Sequence, residues 1–92
     1  MSDNIVFIGR KPVMAYVMAV ITAFRDNPEQ VTIRARGRSI STAVDVAEVI
    51  KNNYLSNITN TVTLGTEKMD TEEGGTRNVS TIEITLNKSQ AA

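Results

Sequence analysis

Three arginines stand at alternate positions in VTIRARGRSIST, residues 31–42: Arg34, Arg36 and Arg38. A second basic group, Gly9-Arg10-Lys11, precedes an apolar run, and Arg77 with Lys68 makes a third, sparser one. A guanidinium fork can give two parallel hydrogen bonds to a phosphate, and an ammonium offers a mobile point charge. A glycine beside each of the first two groups lets the backbone come close to a ligand. Brought to one surface, these groups read as a nucleic-acid footprint; scattered, each would be ordinary solvated charge. Catalytic chemistry has little to work with. The chain has no cysteine and no histidine, which removes the thiol nucleophile, the commonest general base and the commonest metal ligand. Glu72 and Glu73 are adjacent carboxylates, but they fall in a turn-rich segment with no pocket around them. No catalytic residue, metal, cofactor or small-molecule substrate is expected.

The elements that must carry these groups follow from periodicity. Asn4–Gly9, NIVFIG, is a short continuous apolar run ended by glycine, predicted to be a strand buried on both faces. Pro12 suits the first position of a helix. From there to Phe24 the residues Val13, Val17, Val20, Ile21 and Phe24 form one helical stripe. Met14, Ala15, Met18, Ala19 and Ala23 cover most of the remaining surface, and no charge occurs before Arg25. A helix apolar nearly all round needs cover on more than one side. The second face, with Met18 and Ala19 in it, is therefore read as a subunit interface rather than a ligand groove, shared with the second helix or a sheet edge. Val31, Ile33 and Ala35 alternate with Thr32 and Arg34 in a second strand. A second helix is predicted over Ser41–Tyr54, with Thr42 and Asp45 as a capping box and Ile40, Ala43, Val44, Ala47, Ile50 and Tyr54 as its buried stripe.

Two alternating runs follow, Ile58–Leu64 and Thr81–Leu86, joined by the polar GTEKMDTEEGGTRN with Gly74-Gly75 as its turn. They predict an antiparallel hairpin whose apolar-poor end, about residues 62–80, projects as an arm. Val79 is out of phase with Ile82, which suggests a bulge or twist where the arm leaves the body. NKSQAA reads as a frayed tail. The order is βαβαββ: an α+β two-layer sandwich with a four-stranded mixed sheet and both helices on one face, in a single domain over residues 1–92. If the first two strands are parallel neighbours, the GRK and RGR loops share one edge of the sheet.

With 92 residues the chain buries only about 60–65% of its unfolded surface, so a partner copy would add to a modest core. No apolar run reaches the roughly 18 residues of a membrane span, and the acid in MSDNIVFIG is unlike a signal peptide. The sequons at Asn57 and Asn78 are therefore read as chance matches, and the location as cytoplasmic.

IVFIGRKPVMAYVMAVITAF, VTIRARGRSISTAVDVAEVI and NVSTIEITL closely resemble the Alba family of archaeal chromatin proteins, over nearly the whole chain and in order. The resemblance implies a homodimer of the βαβαββ fold, related to the C-terminal domain of bacterial translation initiation factor three. It implies a chromosome-associated protein that binds double-stranded DNA, and in many members RNA, with the dimer body over the duplex and the two arms along the minor groove. The family's central basic pair matches Arg10 and Lys11; arginine at the first of these lacks the lysine that is acetylated in some members. The family's K-A-R-G-R matches Arg34, Arg36 and Arg38, the last two as DNA contacts. Arm cations match only at Arg77, and Tyr54 matches an aromatic used between dimers.

The charge departs from that family. Ten cations balance ten acids, where typical members are strongly basic. Residues 1–51 carry Arg10, Lys11, Arg25, Arg34, Arg36, Arg38 and Lys51 against Asp3, Asp26, Glu29, Asp45 and Glu48. Residues 52–92 carry Lys68, Arg77 and Lys88 against Glu67, Asp70, Glu72, Glu73 and Glu83. A positive body with a negative arm predicts binding weaker than a bulk packager needs, and dependence on preferred sites. The sheet offers no aromatic pair for stacking bases.

Overall fold

A computed structural model describes residues 4–88. The elements are β1 (Ile5–Phe7), α1 (Val13–Asp26), β2 (Gln30–Arg36), a single 3-10 turn (Gly37–Ser39), α2 (Ile40–Asn53), β3 (Ile58–Asp70) and β4 (Thr76–Lys88). The sheet order is β1-β2-β4-β3. β1 runs parallel to β2, and β4 lies antiparallel to both β2 and β3. The expected βαβαββ sandwich with a mixed four-stranded sheet is therefore the observed one.

Strand alternation sorts the two faces of the sheet. Val31, Ile33 and Ala35 of β2 pair in register with Leu86, Ile84 and Ile82 of β4, and all six are buried. They meet Tyr16, Val17, Val20 and Phe24 of α1 and Ala43, Val46, Ala47 and Ile50 of α2. Helical spacing thus places one stripe of each helix on the same sheet face. The opposite face carries Arg34 and Arg36, with the Thr32 and Thr85 hydroxyls 3.2 Å apart across β2 and β4.

Several local expectations need correction. β1 is not buried on both faces: it is an edge strand, and Phe7 on the helix-free face is 66% exposed. Pro12 is the N-cap of α1 rather than its first residue, in an extended conformation, with its carbonyl accepting the Ala15 N–H. The Thr42–Asp45 capping box does not form, because the 3-10 turn brings the chain into α2 one turn early and leaves Ser39 as the N-cap. In α2 the buried stripe includes Val46, whereas Val44 and Tyr54 are exposed. No bulge separates Val79 from Ile82. The β3–β4 register is unbroken from Ile58–Lys88 to Asp70–Thr76, and Val79 reaches toward Gly37 instead.

β2 stops pairing with β4 at Arg36–Thr81. Residues 66–80 therefore continue as a two-stranded ribbon, and the molecule measures 54 × 24 × 23 Å. At the tip, Gly74 takes φ +87°, which glycine adopts without a Cβ penalty. The Thr71 N–H donates to the Gly75 carbonyl at 2.8 Å, and the Gly75 N–H donates to Thr71 Oγ1 at 3.1 Å. The tail expected from Asn87 onward begins within β4, and Ser89–Ala92 lie outside the described residues.

Candidate nucleic-acid interface

Parallel neighbours end at the same edge, so β1 and β2 deliver GRK and RGR side by side. The Ser39 hydroxyl donates to the Gly9 carbonyl at 3.4 Å and links the two loops. Tyr16, absent from the helical stripe expected from sequence, braces the first loop. Its phenolic oxygen accepts the N–H of Gly9 at 2.8 Å and that of Lys11 at 2.9 Å. A Cβ on Gly9 would stand 3.3 Å from that oxygen, a tight approach. Gly37 takes φ +57° as β2 turns into the 3-10 helix, a left-handed geometry suited to glycine.

The three-arginine comb is not three equivalent teeth. Arg34 and Arg36 share the helix-free face, while Arg38 leaves on the 3-10 turn. Arg34 Nε lies 2.9 Å from Glu83 Oε2, its neighbour across β2 and β4. Arg36 Nη1 lies 3.0 Å from Glu67 Oε1 and 3.4 Å from Met69 Sδ, both on β3. Arg36 reaches them across Thr81 and Gly65, its successors in the register, where Gly65 has no side chain in the way. Each of these ion pairs is about half exposed, so each is worth only about 0.2–1 kcal/mol and can exchange with a solvent-borne anion. The pairing of Glu83 and Glu67 with these arginines is not legible in the sequence, because the partners lie on other strands. The turn at Gly74-Gly75 signals the β3–β4 register but not that of β4 with β2.

Arg10, Arg36, Arg38 and Arg77 come together around one open concavity between the two loops and the root of the arm. Gly9, Gly37, Ser39 and Asn78 contribute the smaller groups of its wall. Four guanidiniums from three segments can grip successive phosphates of a backbone. Lys11 does not line this hollow. Lys68 pairs with Asn78 and Arg77 with Met69, so strand alternation puts Lys68 on the other side of the ribbon. Arg34 borders a separate groove on the helix-free face. Of the residues read as apolar contact surface, Met18 is 51% and Tyr54 47% exposed, and Ala19 is exposed as well. Glu72 and Glu73 sit on the exposed turn of the arm. Among the described residues no group of three or more carboxylates is placed to hold a metal ion.

The Alba family model matches residues 4–68. A DNA/RNA-binding protein Alba of Methanocella arvoryzae is 46% identical over 91 residues, covering 98% of this chain and 95% of that relative. One of Methanoculleus marisnigri is 52% identical over 85 residues, covering 91% and 92%. The solved structure of Alba from Thermoplasma volcanium superposes with a TM-score of 0.84 at 46% identity, over 91% of this chain and 99% of that one. These relatives are named for binding nucleic acid, not for a reaction.

Proposed function

The chain belongs to the Alba family, and from that premise we propose that it binds double-stranded DNA as a homodimer, its body on the phosphate backbone and its two arms along the minor groove. The observation that carries this reading is the convergence of Arg10, Arg36, Arg38 and Arg77 on one concavity at the root of the arm. Lys11 lies on the same loop and adds charge beside it; Lys68 faces away and meets backbone only if the ribbon is flanked on both sides, as inside a groove. Among the described residues no helix is long and apolar enough to cross a membrane, and the proposed setting is the cytoplasm, on the chromosome.

Affinity should be modest. In the ribbon, Glu67, Asp70, Glu72 and Glu73 oppose Lys68 and Arg77, and Glu67 already occupies one of the four guanidiniums. Non-specific binding in the micromolar range at physiological salt fits such a surface. Narrow or easily deformed sites would then be favoured over random sequence. The test is a titration of random duplex, selected sequences and RNA at several salt concentrations. Arg38→Ala should weaken binding to all duplexes alike and lower the slope of log affinity against log salt by about one. An unchanged slope rejects Arg38 as a phosphate contact, and low-nanomolar binding of random duplex in physiological salt rejects the weak, site-preferring reading. Structured RNA is the second reading; the exposed Phe7 ring beside two arginines favours it.

A further inference from the structure

The helix-free face of the sheet holds a groove of about 580 Å³ lined by Phe7, Arg34, Arg36, Gly65, Thr81 and Glu83, a size typical of small-ligand sites. From its geometry we propose that this groove is a stacking site for one unpaired nucleobase of a single-stranded nucleic-acid segment, distinct from the phosphate-binding hollow. The inference rests on the nucleic-acid-binding reading and adds a second, base-contacting site to it. Phe7 is the platform. Its register with Arg34 puts the ring on the helix-free face, where it is 66% exposed. The Arg34 guanidinium carbon lies 5.9 Å from the ring centroid, at the outer limit of a cation–π contact, so the exposed ring is only loosely covered and a base can displace the cation to stack on it.

Charge separates this groove from the hollow beside it. Here each arginine faces a carboxylate, Arg34 with Glu83 and Arg36 with Glu67. The pairs cancel, leaving little net attraction for a phosphate. They still present N–H donors and carboxylate acceptors beside an aromatic plane, with the Thr81 hydroxyl close by. That combination complements a base edge, which carries both donors and acceptors, better than a bare anion. Gly65 adds no side chain of its own on the β3 side, and the Thr81 hydroxyl lies 2.8 Å from where its Cβ would stand. Arg36 borders both the groove and the cationic hollow, so a strand whose backbone lies in the hollow can lay a base over Phe7.

The chain contains no tryptophan, so Phe7→Trp introduces a single reporter. Saturating oligo-uridine or oligo-thymidine should quench its emission, while blunt duplex and a mononucleotide at the same nucleotide concentration should not. Phe7→Leu keeps an apolar side chain on an exposed position and should fold normally. It should lose about tenfold in affinity for the single strands, the scale of one lost base stack, with duplex affinity unchanged. Unaltered single-strand binding by Phe7→Leu, or equal quenching by duplex, overturns the stacking site and leaves duplex binding standing. Quenching by the mononucleotide alone makes it a free-nucleotide site instead. A wild-type protein that binds neither form of nucleic acid removes both readings.

Discussion

At the scale of single residues, the arginines gain their meaning from their neighbours. Arg36 is held by Glu67 at 3.0 Å, so a phosphate must displace a carboxylate to reach it. Glu67→Gln should therefore raise affinity for random duplex about two- to fivefold at low salt, the range of an exposed ion pair. Glu72→Gln, at the exposed turn, calibrates simple loss of charge. In an Arg36→Ala background the Glu67→Gln gain should shrink to that reference; an undiminished gain would show that Glu67 acts by general repulsion. Tyr16 is the opposite kind of residue, buried and structural. Tyr16→Phe leaves the Gly9 and Lys11 amides without their acceptor. It should cost about 0.5–1.5 kcal/mol per lost hydrogen bond in urea unfolding and weaken duplex binding through the loosened Arg10 loop. Unchanged unfolding would mean that water replaces the phenol there at no cost.

At the scale of elements, the hairpin was legible because its signals are local: alternating Ile58–Leu64 and Thr81–Leu86 around a Gly-Gly turn. Of the bulge or twist expected at Val79 the bulge does not form, for an identifiable reason. A phase set by the core face does not extend to the ribbon beyond Thr81, which has left the core, and the Val79 side chain there points toward the position a Gly37 Cβ would take. The second helix shows the same limit. Val44 and Val46 are equally apolar, and only the packed sheet decides that Val46 is the one inside. The arm's function turns on its charge. Replacing Glu72 and Glu73 by lysine should raise affinity for random duplex, with a gain that shrinks as salt rises, because surface attraction is screened within about 10 Å at 0.1 M. A gain that persists at high salt would point to a new specific contact rather than relief of repulsion.

For the whole molecule, the question is what covers the apolar surface that one copy leaves open. Met14 and Met18 are 46% and 51% exposed on α1. Val62 and Leu64 share the helix side of the sheet with Ile84 and Ile82 yet are 54% and 74% exposed, because β3 lies beyond the cover of α2. Val44 of α2 is exposed as well. Two such faces on a 92-residue chain are more than scattered surface residues require. Met18→Asp and Leu64→Asp each place a carboxylate where a second copy would bury it, at a cost of several kcal/mol. For the proposed homodimer, sedimentation should show the variant at its interface dissociating, while a variant outside it keeps the wild-type mass. If neither changes the mass, both faces lie outside the subunit contact.

The edge shared by GRK and RGR was conditional on parallel, adjacent β1 and β2, which the structure supplies; the sequence alone determined the element order, the two-layer class and the acidic character of the arm. Each of these depends on local periodicity, on turn chemistry or on a count of charges, all of which survive without coordinates. Tertiary structure decided which of the basic groups act together. It joined Arg10, Arg36, Arg38 and Arg77 across three segments, turned Lys68 to the far side of the ribbon and gave Arg34 and Arg36 their carboxylates. It also exposed Phe7, which the sequence had placed inside. Those outcomes depend on strand order and on which face the helices cover. Both are set by the packing of the whole chain, so no window of residues contains them.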